Sequence, residues 1–217
     1  HRDLHSFPTR RSSDLHLGQS FERVDQDGSG VVAHFAGGRS ERAAILIGAD
    51  GIRSSVRAQL APETQPVYAG YYIWRAAPNE ADLRPETRDS IFRHYIVFVA
   101  ARQHVFGYPI TGLDNDLRPG RRRYNVGWYR VGDAQELREM CVDEKGHQHE
   151  YSVPPPLIRK DLIARMRADA EETLPPQALD CLRCTRPFFT PIYDFTTPQF
   201  VFGRVVLVGD AASSARP

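Results

Sequence analysis

The stretch that most constrains the fold is residues 201–217, V-F-G-R-V-V-L-V-G-D-A-A-S-S-A-R-P. Residues 205–208 are all apolar, and such a run reads as a strand buried on both faces, as in a parallel sheet. Gly209 then permits a sharp turn, because it has no Cβ in the way. Asp210 and the small residues Ala211 and Ala212 follow, as the expected start of a helix close to a ligand. A carboxylate at such a turn is placed to accept hydrogen bonds from a ribose diol. The helix behind it would offer free N–H groups and partial positive charge to an anion.

The rest of the chain is long enough to surround that turn with a core. Its 217 residues allow one or two domains. A hydrophobic content of 41% with 25% charged residues is ordinary for a soluble globular protein. A formal net charge of +1 argues neither for nor against a nucleic-acid partner. No apolar run approaches the ~18 residues of a membrane span, so no membrane role is expected. Three cysteines, an odd number, do not suggest a disulfide framework and point to a reducing cytoplasm.

Residues 1–15 lack periodicity and the apolar core of a secretory signal; they read as an artefactual or disordered leader. From Phe21 the pattern becomes a strand, a Gly-rich turn at residues 27–30, a strand at 31–35 and a turn at Gly37 and Gly38. Residues 43–47 read as a buried strand. They run into G-A-D-G-I-R-S-S-V-R at 48–57, where Asp50 lies between Gly48 and Gly51 and a helix is expected to begin at Ser54.

The segment at 48–57 resembles the DG motif of class A flavoprotein monooxygenases, the para-hydroxybenzoate hydroxylase-like superfamily. G-D-A-A-S-S-A-R-P at the chain's end is similar to the GD motif of that superfamily. Each follows an apolar strand, and they stand in the family's order with a middle domain between them. The middle segments W-R, F-G-Y-P-I-T-G and R-R-R-Y-N-V-G-W-Y-R resemble the 2,6-dihydroxypyridine 3-monooxygenase branch. The resemblance covers roughly residues 20–217. It implies a mixed α/β fold: part of a three-layer FAD/NAD(P)-binding domain at 16–66 and 191–217, with a substrate domain on a mostly antiparallel sheet at 67–190. The family's opening G-x-G-x-x-G turn has no counterpart here, so the chain is expected to be an internal fragment, itself inactive.

Within the middle domain, a strand is expected at 70–76, then a short helix capped by Asn79 and running to Glu86. Residues 90–101 and 103–110 read as a hairpin turning near Ala101 and Arg102. The next strand is 124–131, with Tyr124, Val126 and Trp128 on one face and Asn125, Gly127 and Tyr129 on the other. Helices are expected at 135–140, 157–173 and 177–184, and a Pro-broken extended segment at 187–195.

The resemblance also implies roles. FAD is the expected cofactor and NAD(P)H the co-substrate, with a small aromatic substrate and O2. Asp210 would hold the FAD ribose, with Gly209 and Ala211 shaping the turn and Pro217 beside the flavin. Asp50, Gly51 and Arg57 would belong to the FAD and NAD(P)H site, Asp50 through its backbone and a local hydrogen-bond network. Ser213 stands where many members carry histidine; it keeps a hydroxyl but cannot be a cation near neutral pH. Tyr72, Trp74, His94, Tyr108, Trp128 and Tyr129 are candidates for the substrate pocket, although half of any alternating set must point away. No catalytic residue is assigned beyond the flavin, and a homodimer is among the expected assemblies.

Other residues have plainer readings. Cys181 and Cys184 form C-x-x-C without a second pair of zinc-like spacing, so no metal is expected. Arg118, Arg121, Arg122 and Arg123 read as a solvated loop, with NADPH phosphates as the alternative, and no nucleic-acid motif accompanies them. Two other functions compete: a non-catalytic remnant or interaction module of the same fold, and a flavin-dependent epoxidase or halogenase.

Overall fold

The computed structural model describes residues 15–214. Most of the expected leader, and Pro217, lie outside the described residues. The chain divides into two compact units, one of His1–Val67 with Asp194–Pro217, the other of Tyr68–Tyr193.

The first unit opens with an antiparallel meander. Strand β1 (Phe21–Gln26) pairs with β2 (Val31–Phe35), which pairs with β3 (Ser40–Ala43). The β1–β2 turn is built by Asp27, whose Oδ1 accepts from the Ser29 N–H at 2.7 Å and the Gly30 N–H at 3.0 Å. Strand β4 (Leu46–Gly48) and helix α1 (Ser55–Leu60) follow. The Gln59 side chain clips α1 to β1, accepting from the Val24 N–H at 2.9 Å and donating to its carbonyl at 2.7 Å.

The second unit is a sheet with helices on one face. Its strands are β5 (Val67–Ala76), β6 (Ile96–Ala100), β7 (Gln103–Ile110), β8 (Arg123–Val131) and β9 (Phe188–Thr196), in the order β9-β5-β8-β7-β6. Its helices are α2 (Pro85–Ile91), α3 (Ala134–Met140), α4 (Lys160–Thr173) and α5 (Pro176–Arg183). Pro85 and Pro176 open α2 and α5, where the missing N–H costs nothing. The hairpin turns at Arg102, a non-glycine residue at φ 61°.

Several expectations shift. Ser90 belongs to α2 and not to a strand, because Pro85 starts a helix that carries on to Ile91. Asn79 does not cap that helix; its Nδ2 donates to Asp82 Oδ2 at 2.7 Å beside a short 3-10 turn. Pro191 does not break β9, which runs unbroken and alternates in burial.

The chain then completes the first unit. Strand β10 (Val201–Phe202) turns antiparallel into β11 (Val205–Leu207), which lies parallel to β4 with Val205 opposite Leu46 and Leu207 opposite Gly48. Gly48 has no room for a side chain: a Cβ there would meet Leu207 Cδ2 at 2.9 Å and Val56 at 3.1 Å. Val24, Val31, Val56, Val205 and Leu207 form the core of this unit.

Burial in β4 and β11 is one-sided, which corrects the expectation of strands buried on both faces. Leu207 is 2% exposed, but Val208 is 40%, Ile45 57% and Ile47 64% exposed. Successive side chains alternate between faces, and among the described residues only one face of this small sheet is packed.

Candidate functional site

Two turns stand side by side at the carboxyl ends of β4 and β11. In the first, the Asp50 carboxylate accepts from Ser54 Oγ at 2.5 Å and from the Ser55 and Val56 N–H groups at 2.8 and 3.2 Å. Ser54 Oγ in turn accepts from the Arg57 N–H at 2.9 Å. Helix α1 therefore has its leading amides capped by its own chain, leaving them no share in holding an anion. Gly51 supplies the positive φ, 78°, that this turn requires.

In the second turn, Gly209 sits at φ 57° and the backbone makes a single 3-10 turn, Gly209–Ala211. The expected α-helix does not begin within the described residues. The chain instead enters β12 (Ser213–Ser214), which pairs with Phe195 and Thr196. Ser213 is thus a strand residue. Ala211 is buried, whereas Asp210 is exposed and its carboxylate has no hydrogen-bond partner among the described residues.

Arg57 joins the two turns. It is 4% exposed. Its guanidinium donates to the carbonyls of Ala211 at 3.1 Å and Asp210 at 3.4 Å, and also to the Ile52 carbonyl. Its face lies 4.3 Å from the centre of the Phe195 ring. The side chain expected to meet a cofactor is turned inward and holds the backbone that carries Asp210.

In the second unit, strand alternation sorts the substrate candidates. Tyr72, Trp74 and Trp128 lie on the face covered by helices and are 2%, 1% and 0% exposed. Tyr72 donates to Glu136 of α3 at 2.7 Å, and Trp74 packs on Phe189 at 5.5 Å. These three belong to the core, because even-numbered residues of β5 and β8 point to the helices. Burial accordingly pushes the Tyr72 hydroxyl well above its ordinary pKa. His94 is an exposed turn residue whose carbonyl accepts from Tyr124 at 3.2 Å.

Tyr108 is on the opposite, open face. There Tyr95, Phe106 and Tyr108 stack nearly parallel, with ring centres 5.7–6.5 Å apart. Tyr129 joins them 5.8 Å from Phe106 and 5.9 Å from Tyr71. A cavity of about 350 Å³ on this sheet is lined by Tyr71, His104 and Tyr129 among others. Sequence reasoning missed Arg75 on this face; its odd position beside the buried Trp74 was the available signal.

The remaining groups are structural. Arg118 and Arg121 both pair with Asp116, Arg122 with Glu80, and Arg123 donates to the Thr111 carbonyl, so each guanidinium has a partner within its own unit while the two carboxylates offset only part of the cluster's charge. Burial pushes the Cys181 thiol up to about 12, and among the described residues no group of His, Cys, Asp and Glu is arranged for a metal.

The chain is similar to several known proteins. Residues 68–194 match the FAD binding domain-like family. The 2,6-dihydroxypyridine 3-monooxygenase of Paenarthrobacter nicotinovorans is 30% identical over 93% of this chain and 50% of its own length. The 3-amino-4-hydroxybenzoate 2-monooxygenase of Streptomyces cremeus is 34% identical over 99% of this chain and 47% of its own. The solved structure of 2,6-dihydroxypyridine-3-hydroxylase from Arthrobacter nicotinovorans superposes with a TM-score of 0.83 at 29% identity, covering 92% of this chain and 50% of that one. The chain thus spans about half the length of the curated relatives it matches.

Proposed function

The chain belongs to the FAD binding domain-like family, and from that premise we propose that the protein is an FAD-dependent monooxygenase that hydroxylates an aromatic or N-heteroaromatic ring. The observation that carries the reading is the pairing of two turns at the ends of parallel strands β4 and β11, locked by Arg57. An exposed, unpartnered carboxylate on a rigid turn fits a ribose diol, which donates two hydrogen bonds to one acceptor group. Asp210 would therefore hold the FAD ribose, with Gly209 setting the turn and Asp50 fixing the neighbouring one. When bound, the flavin supplies the redox chemistry, taking reducing equivalents from NAD(P)H and activating O2. The chain's own part is to bind, orient and keep water from the ring, and the open aromatic face of the second unit suits a planar substrate.

A cytoplasmic homodimer belongs to the same proposal. Among the described residues no helix is long and apolar enough to cross a membrane. Titrating FAD into the whole protein and into its Asp210→Ala variant tests the reading. The wild type is expected to bind one FAD and the variant to bind it at least about tenfold more weakly, a loss of about 1.4 kcal/mol. Equal affinity in both would remove Asp210 from the site, and no binding in either would remove the flavin.

A further inference from the structure

Strand β6 is the last strand of the second unit's sheet, with only β7 beside it. Its sequence, I-V-F-V-A, contains no charge and no proline. Its register against β7 is regular, from Ile96 opposite Gly107 to Ala100 opposite Gln103, with no bulge. Among the described residues, the backbone of 96–100 makes no hydrogen bond outside that pairing. The outer edge of the strand therefore presents N–H and C=O groups that have no protein partner. Terminal strands are ordinarily blunted by lysine, proline, a bulge or a covering segment, and the described residues supply none of these.

The side chains are suited to a further strand. Phe98 faces the helices, opposite the buried Val105. Val97 and Val99 stand on the other face and are 57% and 73% exposed. Their β-branched side chains fit a pleated, half-buried surface, and a neighbouring strand would pack its own alternate side chains on them.

Charge selects the partner. Residues 90–113 contain no Asp or Glu, and Arg93 and Arg102 bracket the strand. Both arginines are exposed, and neither has an ion-pair partner among the described residues. A second copy of β6, paired antiparallel about Phe98, would set Arg102 opposite His94 and so bring it up to the copy's Arg93. Like charges placed opposite one another are unfavourable. A strand that ends in carboxylates meets both arginines with the opposite charge.

We propose that the free edge of β6 is a docking site for an extended segment of another polypeptide, apolar and β-branched in its middle and with a carboxylate at each end. The segment adds itself to the sheet as the next strand. Backbone hydrogen bonds supply the affinity, and the end carboxylates, facing Arg93 and Arg102, supply the choice of partner. Nothing in this site depends on the flavin, and docking is expected with or without FAD.

The test uses the whole protein and a fluorescently labelled peptide, E-V-T-V-T-V-E, with two controls: the same peptide with lysine at both ends, and with proline in place of the central valine. By anisotropy the glutamate-ended peptide is expected to bind at least about tenfold more tightly than either control. Its binding should slow hydrogen exchange at the amides of residues 96–100. Arg102→Asp, a residue type that tolerates the positive φ of this turn, should reverse the preference between glutamate and lysine ends. Val99→Lys should abolish binding, and both variants should keep the wild-type melting temperature and FAD affinity. No binding by the wild type, binding that leaves exchange at 96–100 unchanged, or a folded Arg102→Asp variant with the wild-type preference would overturn the assignment. Protection of 96–100 that rises with protein concentration in the absence of peptide would give the edge to a second copy and overturn it as well.

Discussion

Arg57 shows how far a single side chain departs from its expected role. Its motif was legible in sequence, but its hydrogen-bond acceptors are carbonyls at positions 210 and 211, which no local pattern reveals. A buried guanidinium with several charge-assisted bonds is expensive to remove. Arg57→Met is expected to lower stability by about 2–4 kcal/mol in urea unfolding and to weaken FAD binding. Arg57→Lys should recover part of both. The Asp143 carboxyl makes a second residue-scale test. Its hydrogen bond with His149 at 2.9 Å, helped by the His147 and Lys145 N–H groups, lowers its pKa from 3.8 to about 2. A depressed carboxyl stabilises the fold above its unfolded pKa and loses that stabilisation as pH falls through the folded one. The wild-type unfolding midpoint should therefore fall more steeply between about pH 4 and 2 than that of Asp143→Asn.

At the scale of elements, alternation decided more than residue type. The aromatic candidates share a chemistry, yet position along the strand puts Trp74 of β5 and Trp128 of β8 under the helices and leaves Tyr108 of β7 on the open face. The split of Tyr124, Val126 and Trp128 from Asn125, Gly127 and Tyr129 was legible. Which side the helices cover was not, because that depends on α4 and α5, which come later in the chain. The apolar runs of β4 and β11 also overstated burial, since a run of valine and isoleucine records what a strand could bury and not what covers it. Trp128→Ala should cost about 3–5 kcal/mol by the loss of a fully buried ring. Tyr108→Ala should cost less than about 1 kcal/mol while weakening binding of oxygenated rings, which thermal melts and ring titration together would show.

At the scale of the molecule, the second unit is one continuous segment whose ends meet: the rings of Tyr68 and Tyr193 lie 5.9 Å apart. Its core of Trp74, Tyr124, Trp128, Ile158, Met166 and Leu182 lies within that segment. Residues 68–193 expressed alone should unfold in one cooperative transition, as a single domain with its own core does. The first unit is different, since it is assembled from both ends of the chain around the two turns. Its motifs were legible because turns at strand ends carry fixed chemistry. The short β12 and the absence of an α-helix through Ser214 were not, because small polar residues there are compatible with either. Oxygen transfer is the central claim, and it is tested most directly by supplying the whole protein with FAD, NADPH, 2,6-dihydroxypyridine and isotopically labelled O2. The account predicts NADPH consumption that depends on the ring and a hydroxylated product carrying one labelled oxygen atom; an unlabelled product, or NADPH consumption indifferent to the ring, would contradict it.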